Sequence, residues 1–372
     1  MRIDLPGDSP GSATELNYYR IGPADAGTKV HLQAALHADE QPGAMVLHHL
    51  LPMLREADGR GLLRARFALM PMVNPLAMAS LSFRHHIGRY DPNSGINHNR
   101  RWPDLFAAIG TTLRLGTDPD ANIGLIRTAL AGWIGRQQPR TAAEKLRLLI
   151  LREAHDADFV LDLHCDDDSL LHIYTSPELM PGLADLADWM GAAATLTATD
   201  SGGGSFDEIL PQLYRQLAAA NPDLPVPMAS ATATLEYRGQ ADVSDAVGAD
   251  DARRLYGFFC GRGLIDEPPA ERPPPAPAAT PFAATEIVRA DRPGLLAYRV
   301  ELGARVRRGD VIADLIALDG PDAFLRRTPI LAGTDGVVFT RVTGKYVTRG
   351  AGIAKIAGSI PLPGREGHLL ED

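Results

Sequence analysis

His37 and Glu40 stand three apart in Leu36-His37-Ala38-Asp39-Glu40-Gln41-Pro42-Gly43. In a tight turn that spacing lets an imidazole nitrogen and a carboxylate oxygen face one point, and both are good zinc ligands. His-x-x-Glu by itself is a weak signal, because a polar loop with a solvated Glu40 has the same pattern. A second histidine, His164, closes the apolar run Asp158-Phe159-Val160-Leu161-Asp162-Leu163-His164. Two histidines and one glutamate suit a catalytic zinc, since three protein ligands leave a coordination position for water. Glu236 ends a further apolar run, Thr234-Leu235-Glu236-Tyr237. A carboxylate there is costly to bury without a purpose or a partner. Beside an activated water it can take a proton and pass it to a leaving amine. The plainer reading is a strand-end ion pair with Arg238. Arg89 and the run Asn97-His98-Asn99-Arg100-Arg101-Trp102-Pro103 supply cations. Arginines near a metal can grip a substrate carboxylate or stabilise an oxyanion. A solvated basic turn is the alternative, and it fits Arg101.

Such residues must be carried by elements that converge. Residues 29–36, 65–73, 158–164 and 231–237 read as strands, and 42–54 and 141–157 as helices. Short apolar strands alternating with helices predict an α/β fold with a mixed, mostly parallel sheet flanked by helices. Ligands bind at strand ends in such sheets. The proline-dense stretch 267–281 predicts a linker. It divides a catalytic α/β domain at 1–266 from a small β domain at 282–372, where valine and isoleucine alternate with glycine turns.

Composition narrows the function. With 372 residues and 45% hydrophobic content the chain can bury a sizeable core. A net charge of -9 argues against nucleic-acid binding, which needs clustered Lys and Arg. Two cysteines build neither a disulfide framework nor a cysteine-based zinc motif. The sequence shows neither the pattern of a secretory signal nor a long apolar run, so the expected location is the cytoplasm, without membrane partners.

Taken in order, His-x-x-Glu, Asn-Pro, Arg…Asn-Arg-x-x-Pro, Asp-Leu-His and the strand-end Glu, spread over residues 37 to 236, resemble the succinylglutamate desuccinylase and aspartoacylase family. This is a branch of the zinc carboxypeptidase-like fold. The Pro-rich break and C-terminal β unit are also similar to that family. The resemblance implies one zinc ion per chain held by His37, Glu40 and His164, with Glu236 as general base. It implies that Arg89 polarises the scissile carbonyl and that Asn99 and Arg100 grip a substrate carboxylate. Asn74-Pro75 resembles a structural turn near the site. The implied activity is hydrolysis of the amide bond of a small N-acyl amino acid or related carboxylate-bearing molecule. A metallocarboxypeptidase or an ester hydrolase is the alternative. A non-catalytic zinc-binding module ranks last, because it would need neither an open coordination position nor a nearby base.

Departures from the family pattern fall on the pocket wall: Ala38, Asn97-His98, Cys165 and Tyr237-Arg238-Gly239. Cys165, with no recognisable base, reads as a small pocket-lining residue. Asp166-Asp167-Asp168 reads as an exposed acidic turn. His48-His49 reads as packing or surface, and His85-His86 as a candidate lining of the substrate loop. The β unit resembles the barrel-sandwich hybrid of lipoyl and biotinyl carriers, but residues 318–329, where those carry a modifiable lysine, contain none. A role in shaping the site entrance or holding a homo-oligomer is expected instead.

Overall fold

Val30, Leu32 and Ala34 alternate with His31 and Gln33 along one strand, yet all five are buried. A strand buried on both faces needs helices on both sides. The computed structural model, which describes all residues except 319, 321, 368 and 370–372, shows that arrangement. Its main sheet contains β1 (Tyr19–Ile21), β2 (Thr28–Ala34), β3 (Ala65–Met70), β4 (Phe159–Asp166), β5 (His172–Thr175), β6 (Ala194–Thr197), β7 (Ala231–Gly239) and β8 (Thr280–Pro281). The spatial order is β8-β6-β5-β7-β4-β2-β3-β1. The pairs β2–β3, β2–β4, β4–β7, β5–β6 and β6–β8 are parallel. The pairs β5–β7 and β1–β3 are antiparallel. The predicted mixed, mostly parallel sheet is therefore present.

Six helices cover it: α1 (Pro42–Gly59), α2 (Pro119–Arg136), α3 (Ala142–Ala154), α4 (Met180–Met190), α5 (Phe206–Ala220) and α6 (Asp245–Gly261). On one face Leu47, Leu161, Trp189 and Phe258 share a core. On the other Ile126, Ile150, Val160 and Leu213 share a second. Adjacent Val160 and Leu161 point into opposite cores, as the two-residue period of a strand requires. Thr141 caps α3 by accepting from Glu144 N, and Glu144 completes a capping box, which explains a start one residue later than predicted. Helix α1 continues past Pro52 because that residue is exposed, so the carbonyl it leaves unpaired can face water.

The C-terminal region is all antiparallel. Strands β9 (Thr285–Arg289), β14 (Gly352–Ala357) and β13 (Gly336–Arg341) form one sheet with Arg305–Val306. Strands β12 (Arg327–Leu331), β11 (Val311–Ile316) and β10 (Gly294–Tyr298) form another with Tyr346–Val347. Val288, Ile312, Val338 and Ile356 fill the space between them. Residues 319 and 321, in the stretch compared with the carriers' lysine hairpin, lie outside the described residues. The Pro-rich stretch is packed down rather than free. Arg272 and the Ala276 N–H bind Asp188, and Thr280–Pro281 pairs with β6 as an edge strand, a place that tolerates proline. Among the described residues no helix is long and apolar enough to cross a membrane.

The strands that carry His164 and Glu236 near their C-terminal ends, β4 and β7, are central neighbours, and β2 lies on the other side of β4. Helix α1 starts directly over this junction. A Cβ on Gly43 would lie 2.7 Å from Leu163 Cβ and 2.9 Å from the Leu163 carbonyl oxygen. Both contacts are closer than carbon atoms tolerate, and one is to backbone. Gly43→Ala should therefore destabilise the fold by about 1–3 kcal/mol despite its better helix propensity, as measured by denaturant unfolding. A neutral or stabilising change would show that α1 does not sit this close.

Candidate metal centre and active site

Two neighbouring strand ends bring the ligand candidates together, and a third carries Glu236. The turn after β2 carries His37 and Glu40. Asn74 supports it by donating from Nδ2 to the Leu36 carbonyl at 2.9 Å while its Oδ1 accepts from Ala77 N. Asn74-Pro75 is thus the structural turn expected. His164 lies at the end of β4, directly paired in register with Glu236 on β7. One ligand atom from each of His37, Glu40 and His164 falls within 4.8 Å of the others, and all three residues are buried. Glu40 Oε1 is 2.9 Å from His37 Nδ1, and Glu40 Oε2 is 2.6 Å from His164 Nδ1.

The outward nitrogens test whether a metal fits. His37 Nε2 lies 2.7 Å from Asn97 Oδ1, an acceptor, so it carries the proton. His164 Nε2 lies 3.0 Å from Asp162 Oδ2. That contact has the distance of an ion pair without the alignment of a hydrogen bond. Both Nδ1 atoms can then face inward with lone pairs beside a carboxylate, the donor set of a divalent-ion site with its outer partners in place. The residues fit the group.

The charges agree. Burial lowers the pKa of His37, which keeps it neutral and able to coordinate. Burial would also lower His164, but Asp162 and Glu40 flank it and raise it well above the usual histidine range. The two imidazoles thus move in opposite directions beside the same glutamate, and the extra carboxylate at His164 accounts for it. A proton there takes the place a cation would claim. Burial raises Glu40, yet His37 and His164 together bring it well below the ordinary carboxylate value.

Glu236 Oε2 is buried with no hydrogen-bond partner among the described residues. The ion pair considered with Arg238 does not form: Arg238, in a left-handed backbone conformation, pairs with Asp251 instead. Burial, followed by Glu40, pushes the Glu236 carboxyl up to about 8. Arg89 donates from Nη1 to Glu40 Oε1 at 2.8 Å and lies 3.4 Å from His37 Nδ1. Arg100 is 7% exposed and lines the same cavity as Asn99. Asn99 Oδ1 accepts from Phe206 N, which ties this loop to the start of α5. All seven sequence-predicted site residues border one cavity of about 370 Å³. Cys165 lines it too, and burial raises its thiol far above the normal range, against a nucleophilic role. His48 is exposed and His49 pairs with Asp245, while His85 and His86 form a separate hairpin that does not reach the cavity. Ala38, where the family pattern has glycine, is accommodated because Gly88 faces it. A Cβ on Gly88 would lie 2.5 Å from Ala38 Cβ.

Several residues were missed from sequence. The acidic run at 166–168 is not an exposed turn. Asp166 binds Lys355 and Thr340, and Asp168 binds Arg341, because Asp168–Ser169 adds as a short strand to β13. Lys355 and Arg341 thereby bring the C-terminal region into the cavity wall. Nothing local in the sequence marked them, since both sit in ordinary strand patterns. Asp207 and Glu208 also line the cavity at the start of α5, and burial with Asp207 nearby pushes Glu208 up to about 8. A signal existed here: Gly202-Gly203-Gly204, all at positive φ, marks a sharp turn before that helix.

Comparison with known proteins agrees with this architecture. Residues 26–205 match the succinylglutamate desuccinylase/aspartoacylase catalytic domain family. No curated protein sequence matches. Among solved structures, a candidate succinylglutamate desuccinylase/aspartoacylase family protein from Shewanella amazonensis shares 24% identity and a TM-score of 0.81, over 96% of this chain and 98% of that one. A similar protein from Shewanella frigidimarina shares 22% identity at a TM-score of 0.78, over 96% of each chain. The product-bound ectoine utilization protein EutE (DoeB) from Ruegeria pomeroyi shares 18% identity at a TM-score of 0.66, over 96% of this chain and 94% of that one. At these identities the structures speak for the fold, and the succinylglutamate desuccinylase/aspartoacylase catalytic domain is matched by residues 26–205 of this chain.

Proposed function

We propose that this protein is a zinc-dependent deacylase that hydrolyses the amide bond of a small N-acyl amino acid or related carboxylate-bearing molecule. One observation carries the reading: Glu236, half-buried with a buried Oε2 that has no partner among the described residues, is paired in register with the ligand candidate His164. A carboxylate held in that position has no structural partner to satisfy and a water to activate.

When bound, a divalent ion supplies Lewis-acid polarisation and lowers the pKa of a coordinated water. His37, Glu40 and His164 would hold it. Glu236 takes the proton from the attacking water and then protonates the leaving nitrogen. A guanidinium has five donors, so Arg89 can contact Glu40 through Nη1 and still stabilise negative charge developing on the carbonyl oxygen. Asn99 and Arg100 hold the substrate carboxylate and thereby set the distance from the scissile carbonyl to Glu236. The products are an acid and an amine.

The first test is turnover of acetyl-, succinyl- and formyl-amino acids by zinc-loaded protein. Glu236→Gln should lower kcat by about 10²–10⁴ while one metal equivalent per chain is retained. Full activity in that variant would remove Glu236 as base. A base must be ionised, so kcat/KM should fall as pH drops through the Glu236 pKa. Because a bound dication would stabilise the ionised carboxylate, the midpoint of the loaded protein should lie below 8, and the limb should vanish from the residual activity of Glu236→Gln. A flat wild-type profile over about pH 5 to 8 would contradict the assignment. Arg100→Met should raise KM about tenfold or more for substrates with a free carboxylate, and leave carboxamide analogues unaffected. Equal losses on both would show that Arg100 supports the loop and does not read the carboxylate.

A further inference from the structure

One face of the sheet carries a row of polar side chains where apolar packing would be expected. His31 and Gln33 on β2 and Asp162 on β4 are each 0% exposed, beneath the helix layer that contains α5, and His31 packs edge-on against Phe206 with ring centroids 6.1 Å apart. Five buried atoms in this row lack hydrogen-bond partners among the described residues: His31 Nδ1, Gln33 Nε2, Asp162 Oδ1 and Oδ2, and His164 Nε2. Leaving so many buried polar atoms unpaired is costly, and leucine or methionine would fill the same space without that cost.

The contacts that do exist give the row a direction. His31 Nε2 and Gln33 Oε1 are 3.1 Å apart. Burial lowers His31 to about 4, so the ring is neutral and one nitrogen carries the proton. With that proton on Nε2, Gln33 accepts it through Oε1, and its amide NH₂ is left as a donor. Gln33 is paired in register with Asp162 on the neighbouring parallel strand, so donor and carboxylate stand side by side on one face. Asp162 has Thr234 in register on its other side, and the carboxyl of Asp207 also lies within electrostatic reach. Two residues on, Asp162 Oδ2 stands 3.0 Å from His164 Nε2. The row therefore runs from the middle of the sheet to a ligand candidate of the metal site.

We propose that His31 and Gln33 are positioning residues for the metal centre: they orient the Asp162 carboxylate, which in turn holds the His164 ring with Nδ1 toward Glu40. The inference rests on the metal reading above. Outer partners of metal-bound histidines orient the ring and set the tautomer, and losing one typically weakens metal binding by about 10–100-fold. Here the supporting chain reaches two residues further, across a strand boundary.

The test is zinc affinity by chelator competition on apo-protein, beside thermal melts of the same samples. Gln33→Leu and His31→Leu should each bind zinc about tenfold more weakly or worse, with an apo Tm equal to or above wild type. His31→Gln keeps an N–H for Gln33 and should retain near wild-type affinity. Affinity within about twofold of wild type in both leucine variants overturns the inference. So does a loss of affinity that follows a falling Tm in both, since that marks a merely structural role. Wild-type protein that takes up no zinc overturns the metal reading itself, and the positioning role with it.

Discussion

Glu40 is buried with each carboxylate oxygen against a different imidazole, and the rest of the site is arranged around that fact. Oε1 meets His37 and Arg89, and Oε2 meets His164 and the Cys165 N–H. A carboxylate in such a place keeps its charge only if donors and cations surround it. His37 reaches it from the same turn, but His164 must come from another strand. β2 and β4 must therefore be neighbours in the sheet, and α1 must start close enough to close the turn over them. Gly43 permits that approach by having no side chain.

The same economy of charge governs the boundary with the C-terminal region. Three aspartates in sequence would repel one another and prefer water. Asp166 and Asp168 are instead neutralised by Lys355 and Arg341 from β14 and β13, and the backbone of Asp168–Ser169 joins the β13 sheet. The result is a cavity whose floor belongs to the main sheet and whose side wall belongs to the β region. Burial raises Glu236 and Glu208 together, and the neighbouring carboxylates Glu40 and Asp207 add to it.

Each histidine of the candidate metal group has an outer partner. Asn97 sits where the family pattern has aspartate, and its amide oxygen does the work of orienting His37 without adding charge. On the other side Asp162 does bring a charge to His164. One imidazole consequently stays neutral while the other is raised, an asymmetry that follows from two different neighbours and not from the ligands themselves.

The ligand and base candidates and the strands that carry them were legible in the sequence because each lies at a local marker: a histidine or glutamate closing an apolar run, or a turn opening a helix. The periods of strand and helix reveal such markers without knowledge of what is nearby. The α/β class and the all-β C-terminal region were legible for the same reason. Lys355, Arg341 and the true surroundings of Asp166–Asp168 were not, since their roles come from contacts over 170 residues apart in the chain. Nor could the sequence show that Arg238 turns away to Asp251 and leaves Glu236 free, or that Gln33 stands beside Asp162. By itself the sequence determined which groups can do chemistry and which elements end in them. The tertiary structure decided which charges those groups face, because burial and register, not residue type, set the partner of each one.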